Sequence, residues 1–277
     1  MLIARAWVGD RICSGEVDGD EFHGLAGDVF IERRRAGWSV PLASVQLLSP
    51  VEPRRMFAVI GGFMPADGSP LPEGTIPIIY PKITVAASGQ DGQIVYPPWV
   101  EGPVVAEGEM GVVIGKKVHS ASPTEAADAI LGYTCFNDVT ASEFFVATAG
   151  PKKDFLRAKS IESFSSFGPW IQTDIAQEQI ESGLRIITRV NGEQKQLGNT
   201  KIFRFPPNVI ISSLSTYLTF LPGDVIALGT PPPAAEIKPG DLVEVEVDRV
   251  GVLRNHVVSD DDALGVAPQG KRAAVTL

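Results

Sequence analysis

The chain has 277 residues, 44% of them hydrophobic, enough for one large domain or a large and a small one with a core that needs no staples. Its formal net charge is −9, and it has no cluster of Lys and Arg with interleaved aromatics, which argues against nucleic acid and anionic membranes as partners. Two cysteines, Cys13 and Cys135, are too few for a disulfide framework; with no membrane-length apolar run and no signal-like N-terminus, a cytoplasmic protein is expected.

Short runs rich in Val and Ile, punctuated by 28 Gly and 22 Pro, predict a β-rich α+β fold. Residues 1–50 read as a small β unit opening with Leu2–Val8 and ending at Val45–Leu48, and Ser49–Pro53 reads as a linker that two prolines keep extended. The basic run Arg33–Arg35 reads as a solvated turn. From Arg54 onward the strands lengthen: Phe57–Ile60, Gly111–Ile114, Asn208–Ile211, Val225–Leu228 and the strictly alternating Leu242–Val247. Ser122-Pro123-Thr124-Glu125 opens a capped helix that should run to near Gly132 with Ala126, Ala127, Ala129, Ile130 and Leu131 inward. A polar turn or short helix is expected within Asp174–Ser182, and residues 259–277 read as an irregular tail.

Familiar catalytic signatures are missing: no G-x-S-x-G, no H-E-x-x-H, no Rossmann glycines, and three histidines too scattered for a zinc site. What remains is Glu107-Gly108-Glu109, which leads into an apolar strand. On a strand, residues two apart face one side, so both carboxylates share one space, and Gly108 leaves the other face open to close approach. Such a pair needs protons, lysines or a cation, and hard oxygen donors suit magnesium, manganese or calcium. The pair alone also fits two solvated glutamates at a strand end. Asp138, returning after the capped helix, is the third candidate ligand, although Asn137-Asp138 alone also fits an Asx turn. Lys159, flanked by small and apolar residues, is placed to stabilise negative charge on an enolate, or else is a surface lysine.

Taken in order, these motifs resemble the fumarylacetoacetate hydrolase superfamily. The matching pieces are Glu107–Gly115, Gly132–Thr140, Lys159-Ser160, Gly168–Ile171, Asn191–Glu193 with Gln196 and Thr200, Leu221–Asp224, Gly229–Pro231 and Gly240-Asp241. The resemblance implies a mixed β-sandwich roll, residues 51–258, as the catalytic domain behind the small N-terminal β domain, assembled as a homodimer. It also implies Mg2+ or Mn2+ held by Glu107, Glu109 and Asp138, Lys159 as the catalytic lysine, and Gln196, Thr200 and Thr230 near the substrate. The activity implied is that of a metal-dependent enzyme acting through an enolate on a small 2-oxo acid or 1,3-dicarbonyl compound. Carbon–carbon hydrolysis or lysis comes first; isomerase, hydratase or decarboxylase activity, or a member that binds without turnover, are the alternatives.

Three departures qualify that expectation. The lid His/Glu pair of hydrolytic members is absent from Met64–Ser69, where Asp67 is the one candidate replacement. Ser142 stands where the family often has a carboxylate-gripping arginine, and Gly229-Thr230-Pro231 lacks its following glycine. With Phe63, Phe144, Phe145 and Trp170 expected around the pocket, a bulkier and less acidic substrate is anticipated.

Overall fold

The computed structural model describes residues 1–65, 69, 71–145 and 154–265. They form a β-rich assembly of three sheets, of twelve, five and three strands, with few and short helices. Among the described residues, no helix is long and apolar enough to cross a membrane.

The first strands, Leu2–Val8, Arg11–Asp18, Glu21–Ala26 and Arg34–Pro41, make an antiparallel run at one end of the large sheet. They join it through two residue pairs, Leu2 with Gln172 and Ile3 with Ile171. Arg33–Arg35 is therefore not simply a turn: Arg34 and Arg35 begin the edge strand, and Arg35 donates to Glu16 at 2.6 Å and Asp18 at 2.8 Å. Such an exposed charged edge discourages pairing with further strands.

From there the large sheet continues through Ser165–Gln172, Ile130–Asp138, Gly108–Ile114, Val225–Ala227 and Met56–Ile60 to its far edge, Ile78–Lys82, in that spatial order. Its two faces bury different residues. Met110, Val112, Tyr133 and Cys135 point into a core shared with Val245, Val247 and Leu253 of the five-stranded sheet. Val113, Phe136, Phe167 and Ala227 occupy the opposite face, where the rings of Phe136 and Phe167 stack 6.0 Å apart. The period-two alternation within Gly108–Ile114 thus sends successive side chains into two separate cores, and all seven residues are buried.

Two local expectations fail for physical reasons. Asn208–Ile211 is not a strand but part of the helix Pro207–Ser215, with Pro207 at its first turn and Ile210, Ile211 and Leu214 buried. Its β-branched run fits a strand locally, but the proline start and the 3–4 spacing to Leu214 satisfy a helix packed on the core. The capped helix has the expected box, with Ser122 and Glu125 bonding reciprocally, but spans only Pro123–Asp128. Ile130 and Leu131 instead begin a strand, where Ile130 pairs with Ile114. A short helix fills Gln177–Ser182 as anticipated, and Asp260–Gly265 is helical within the stretch expected as an irregular tail, the rest of which, from residue 266, lies outside the described residues.

Candidate metal centre

Glu107 is the residue at which the chain crosses from the three-stranded sheet, in Val104–Ala106, to the large sheet, in Gly108–Ile114. The partner chain makes the same crossing between Ile130–Asp138 and Thr140–Ala141. Val105 pairs with Thr140 before the crossing and Gly108 with Asn137 after it. That unbroken register sets Glu107 opposite Asp138, and the Asp138 N–H donates to the Glu107 carbonyl oxygen at 2.9 Å. Glu109, two residues on, returns to the same face. One carboxylate oxygen from each of Glu107, Glu109 and Asp138 lies within 4.8 Å of the others.

Gly108 is required on the reverse face. A Cβ there would lie 2.0 Å from Thr188 Oγ1. Thr188 donates to Gln196 Oε1 at 2.5 Å, and that oxygen also accepts the Gly108 N–H at 3.0 Å. Gln196 Nε2 donates to Thr230 Oγ1 at 2.8 Å and to the carbonyl oxygen of Pro233 at 3.0 Å, while Thr230 donates to the Gly108 carbonyl oxygen at 3.2 Å. The strand carrying the glutamates is thereby pinned from behind by a saturated amide.

Lys159 ends a short helix, Phe155–Lys159, capped by Asp154 Oδ1 on the Arg157 N–H at 3.0 Å. Its Nζ donates to Glu107 Oε2 at 2.5 Å and to Asp138 Oδ2 at 3.0 Å. One turn earlier, Phe155 stacks on Tyr80 with centroids 5.0 Å apart. Tyr80 and Lys82 alternate on the strand Ile78–Lys82. The Tyr80 hydroxyl donates to Asp138 Oδ2, and the wholly buried Lys82 donates to Asp138 Oδ1 and to the main-chain carbonyl of Lys159.

The electrostatics separate the three carboxylates. Burial works to raise Asp138, but Lys159 and Lys82 hold it below the usual carboxylate range. Burial lifts Glu107, an effect that Lys159 only partly offsets. Glu109 is pushed well above its ordinary value by burial and then by the charges of Asp138 and Glu107. Its one hydrogen bond among the described residues is the Gly229 N–H, at 2.6 Å. Burial pulls Lys82 down; it opposes the charge of Lys159 too, yet Asp138 and Glu107 outweigh it and raise that lysine. Two ammoniums face three carboxylates, and Glu109 is the one whose ionisation the site opposes most unless a cation is present. This donor set, all oxygen and closely convergent, fits a hard divalent cation.

A family model described as fumarylacetoacetate (FAA) hydrolase C-terminal matches residues 59–258. The chain belongs to the fumarylacetoacetate hydrolase family. A second model, Rv2993c-like N-terminal, matches residues 1–50. The chain is 34% identical over 230 residues to the human mitochondrial oxaloacetate tautomerase FAHD2A, spanning 79% of this chain and 71% of that one. It resembles the solved structure of 5-carboxymethyl-2-hydroxymuconate delta-isomerase from Mycobacterium smegmatis, with a TM-score of 0.83 and 32% identity over 94% of this chain and 100% of the other. A further likeness is to maleylpyruvate hydrolase from Sphingobium sp. SYK-6 in complex with manganese(II) and pyruvate: TM-score 0.74 and 25% identity, over 94% of this chain and 99% of that one. The matched span, residues 59–258, contains all the carboxylates and lysines described above.

The other residues singled out from the sequence are spread more widely. Gln196 and Thr230 stand behind Gly108. The Thr200 hydroxyl donates to the Ile180 carbonyl oxygen at 2.5 Å and accepts the Leu184 N–H at 2.9 Å, bracing a helix against the strand that follows it. Ser142 opens the helix Ser142–Phe145, its N–H on the Pro103 carbonyl oxygen at 2.9 Å. Phe63 is in the core, edge-on to Phe203 at 5.0 Å. Of the four aromatics expected around one pocket, Phe145 is beside Lys159, whose Nζ is 5.2 Å from its centroid. Phe144 packs with Trp99, and Trp170 donates to the Val250 carbonyl oxygen at 2.5 Å. Asp67 lies outside the described residues.

Sequence reasoning passed over Tyr80, Lys82 and the Gly229 N–H. The first two carried a signal, a phenol and an ammonium two apart in the apolar run Ile78-Ile79-Tyr80-Pro81-Lys82. The third is a main-chain donor, which no side-chain pattern announces.

Proposed function

We propose that the protein is a divalent-metal-dependent enzyme that interconverts keto and enol forms of a small 2-oxo acid. The observation that carries this reading is the convergence of Glu107, Glu109 and Asp138 on one space with Lys159 at its border. Those three carboxylates would hold Mg2+ or Mn2+, which supplies Lewis-acid polarisation of adjacent carboxylate and carbonyl oxygens. Lys159, kept charged by Asp138 and Glu107, presents a positive group to developing negative charge on the substrate. Lys82 and Tyr80 fix Asp138 from the far side, so the ligand oxygens are oriented before anything binds. With a divalent cation added, the five side chains sum to a net positive charge, which suits an anionic keto acid.

Isomerisation is placed ahead of carbon–carbon hydrolysis, the reaction expected first from the sequence. Tautomerisation needs charge stabilisation and a proton shuttle, whereas hydrolysis also needs an activated water. The three histidines lie on other elements: His23 on Glu21–Ala26, His119 against Thr219, His256 on Gly251–Ser259. Relatives named as an oxaloacetate tautomerase and a delta-isomerase support the same order. This reading includes residues 1–50 as a small N-terminal domain and a homodimer, the latter tested by sedimentation.

The direct assay follows the enol absorbance of oxaloacetate with Mg2+ or Mn2+ and with a chelator. Metal-dependent acceleration of its decay is expected. No acceleration, together with metal-dependent cleavage of an acylpyruvate, would make hydrolysis the activity instead.

A further inference from the structure

Arg204 is half-buried, and its Nε is enclosed with no hydrogen-bond partner among the described residues. A guanidinium nitrogen shut away from water without an acceptor is costly, and an anion is the partner that such a group takes. Its location gives that need a direction. The Met64 N–H donates to the Ile202 carbonyl oxygen at 2.9 Å and the Arg204 N–H to that of Gly62 at 2.7 Å, with Phe63 and Phe203 bridged between them. Arg204 is thus fastened to the segment that continues the strand Met56–Ile60.

That strand runs parallel to Val225–Ala227, and beyond their ends Gly62 lies directly against Leu228 and Gly229. A Cβ on Gly62 would fall 1.9 Å from the Leu228 carbonyl oxygen, so no side chain separates the two segments. Gly229 gives its N–H to Glu109. A Cβ on Gly61 would be 3.4 Å from Arg204 Nη1, so the guanidinium is laid over the backbone of Gly61. Main-chain contacts thus link Arg204 to the carboxylate cluster by way of Gly61, Gly62 and Gly229.

We propose that Arg204 is a specificity-determining residue of this site, its guanidinium taking the distal carboxylate of a dicarboxylic 2-oxo acid. The proposal rests on the metal-dependent keto-acid reading above. It supplies from Ile202–Arg204 the cation that Ser142 does not provide, and it reverses the expectation of a less acidic substrate. Arginine suits the task because its planar fork matches a carboxylate with two parallel hydrogen bonds.

The test is calorimetric binding of two stable keto acids to the Mn2+-loaded full chain. 2-Oxoglutarate has a distal carboxylate; 2-oxobutanoate has none. In Arg204→Gln, affinity for 2-oxoglutarate should fall about tenfold or more, while that for 2-oxobutanoate stays within about twofold. Arg204→Lys, which keeps charge without the fork, should fall between. Retained 2-oxobutanoate binding shows that the variant is folded. Equal losses for both acids, or no loss for either, would overturn the role of Arg204 alone. Failure of both acids to bind the metal-loaded wild type would overturn the keto-acid reading and this proposal with it.

Discussion

Lys82 reaches Lys159 through the main chain: its buried Nζ bonds the Lys159 carbonyl oxygen while also donating to Asp138, the carboxylate that the Lys159 ammonium itself holds. Two lysines from distant segments are thereby set around one aspartate. One lysine is fully enclosed; the other faces the cluster.

Lys82→Met should expose that arrangement. It removes one of two cations facing three carboxylates, leaving Asp138 Oδ1 buried without its partner. Breaking a buried pair costs about 3–5 kcal/mol, so the metal-free protein should melt roughly 5–15 °C lower. Added Mn2+ should restore more of the melting temperature than it adds to the wild type, because it replaces missing positive charge. Differential scanning calorimetry with and without the ion measures both shifts. Equal metal-induced shifts would count against the charge balance described here.

Gly108→Ala tests the pinning of the glutamate strand. The new methyl would meet Thr188 Oγ1, in contact with an amide that cannot yield without leaving the Gly108 N–H unpaired. Overpacking of this kind costs about 1–3 kcal/mol. The strand must shift, so metal affinity should weaken in parallel. Unchanged urea denaturation would show that the contact is softer than the geometry implies.

Lys159→Ala separates binding from turnover. The three carboxylates remain, so the cation should still bind, but kcat for enol decay should fall about a hundred- to a thousandfold. A variant of equal activity would remove Lys159 from the chemistry.

Much of this was legible in the sequence because it follows from period and spacing. Glu107 and Glu109 are two apart, and the strand Leu242–Val247 appears with its expected bounds. The place of Asp138 depends on register across a sheet crossing, which one chain read alone does not reveal; the ordered motifs supplied it. Lys82 was hidden because its strand lies at the far edge of the large sheet in spatial order, joined to the cluster by side-chain length alone. Asn208–Ile211 misled because β-branched residues suit a strand locally, while packing of Ile210, Ile211 and Leu214 decided for a helix. Arg204 had no pattern to mark it, since its significance is an unmet hydrogen bond that only the folded chain creates.

Glu107, Glu109 and Asp138 are proposed to hold a divalent cation together, and among the described residues Glu109 is the member with no ammonium bonded to it. Calorimetric titration of Mn2+ into the wild type and Glu109→Gln tests it most directly. One site is expected in the wild type, with an affinity reduced by at least about a hundredfold in the variant, beyond what loss of a supporting contact gives. Undiminished binding in Glu109→Gln, in a variant that melts like the wild type, would contradict it.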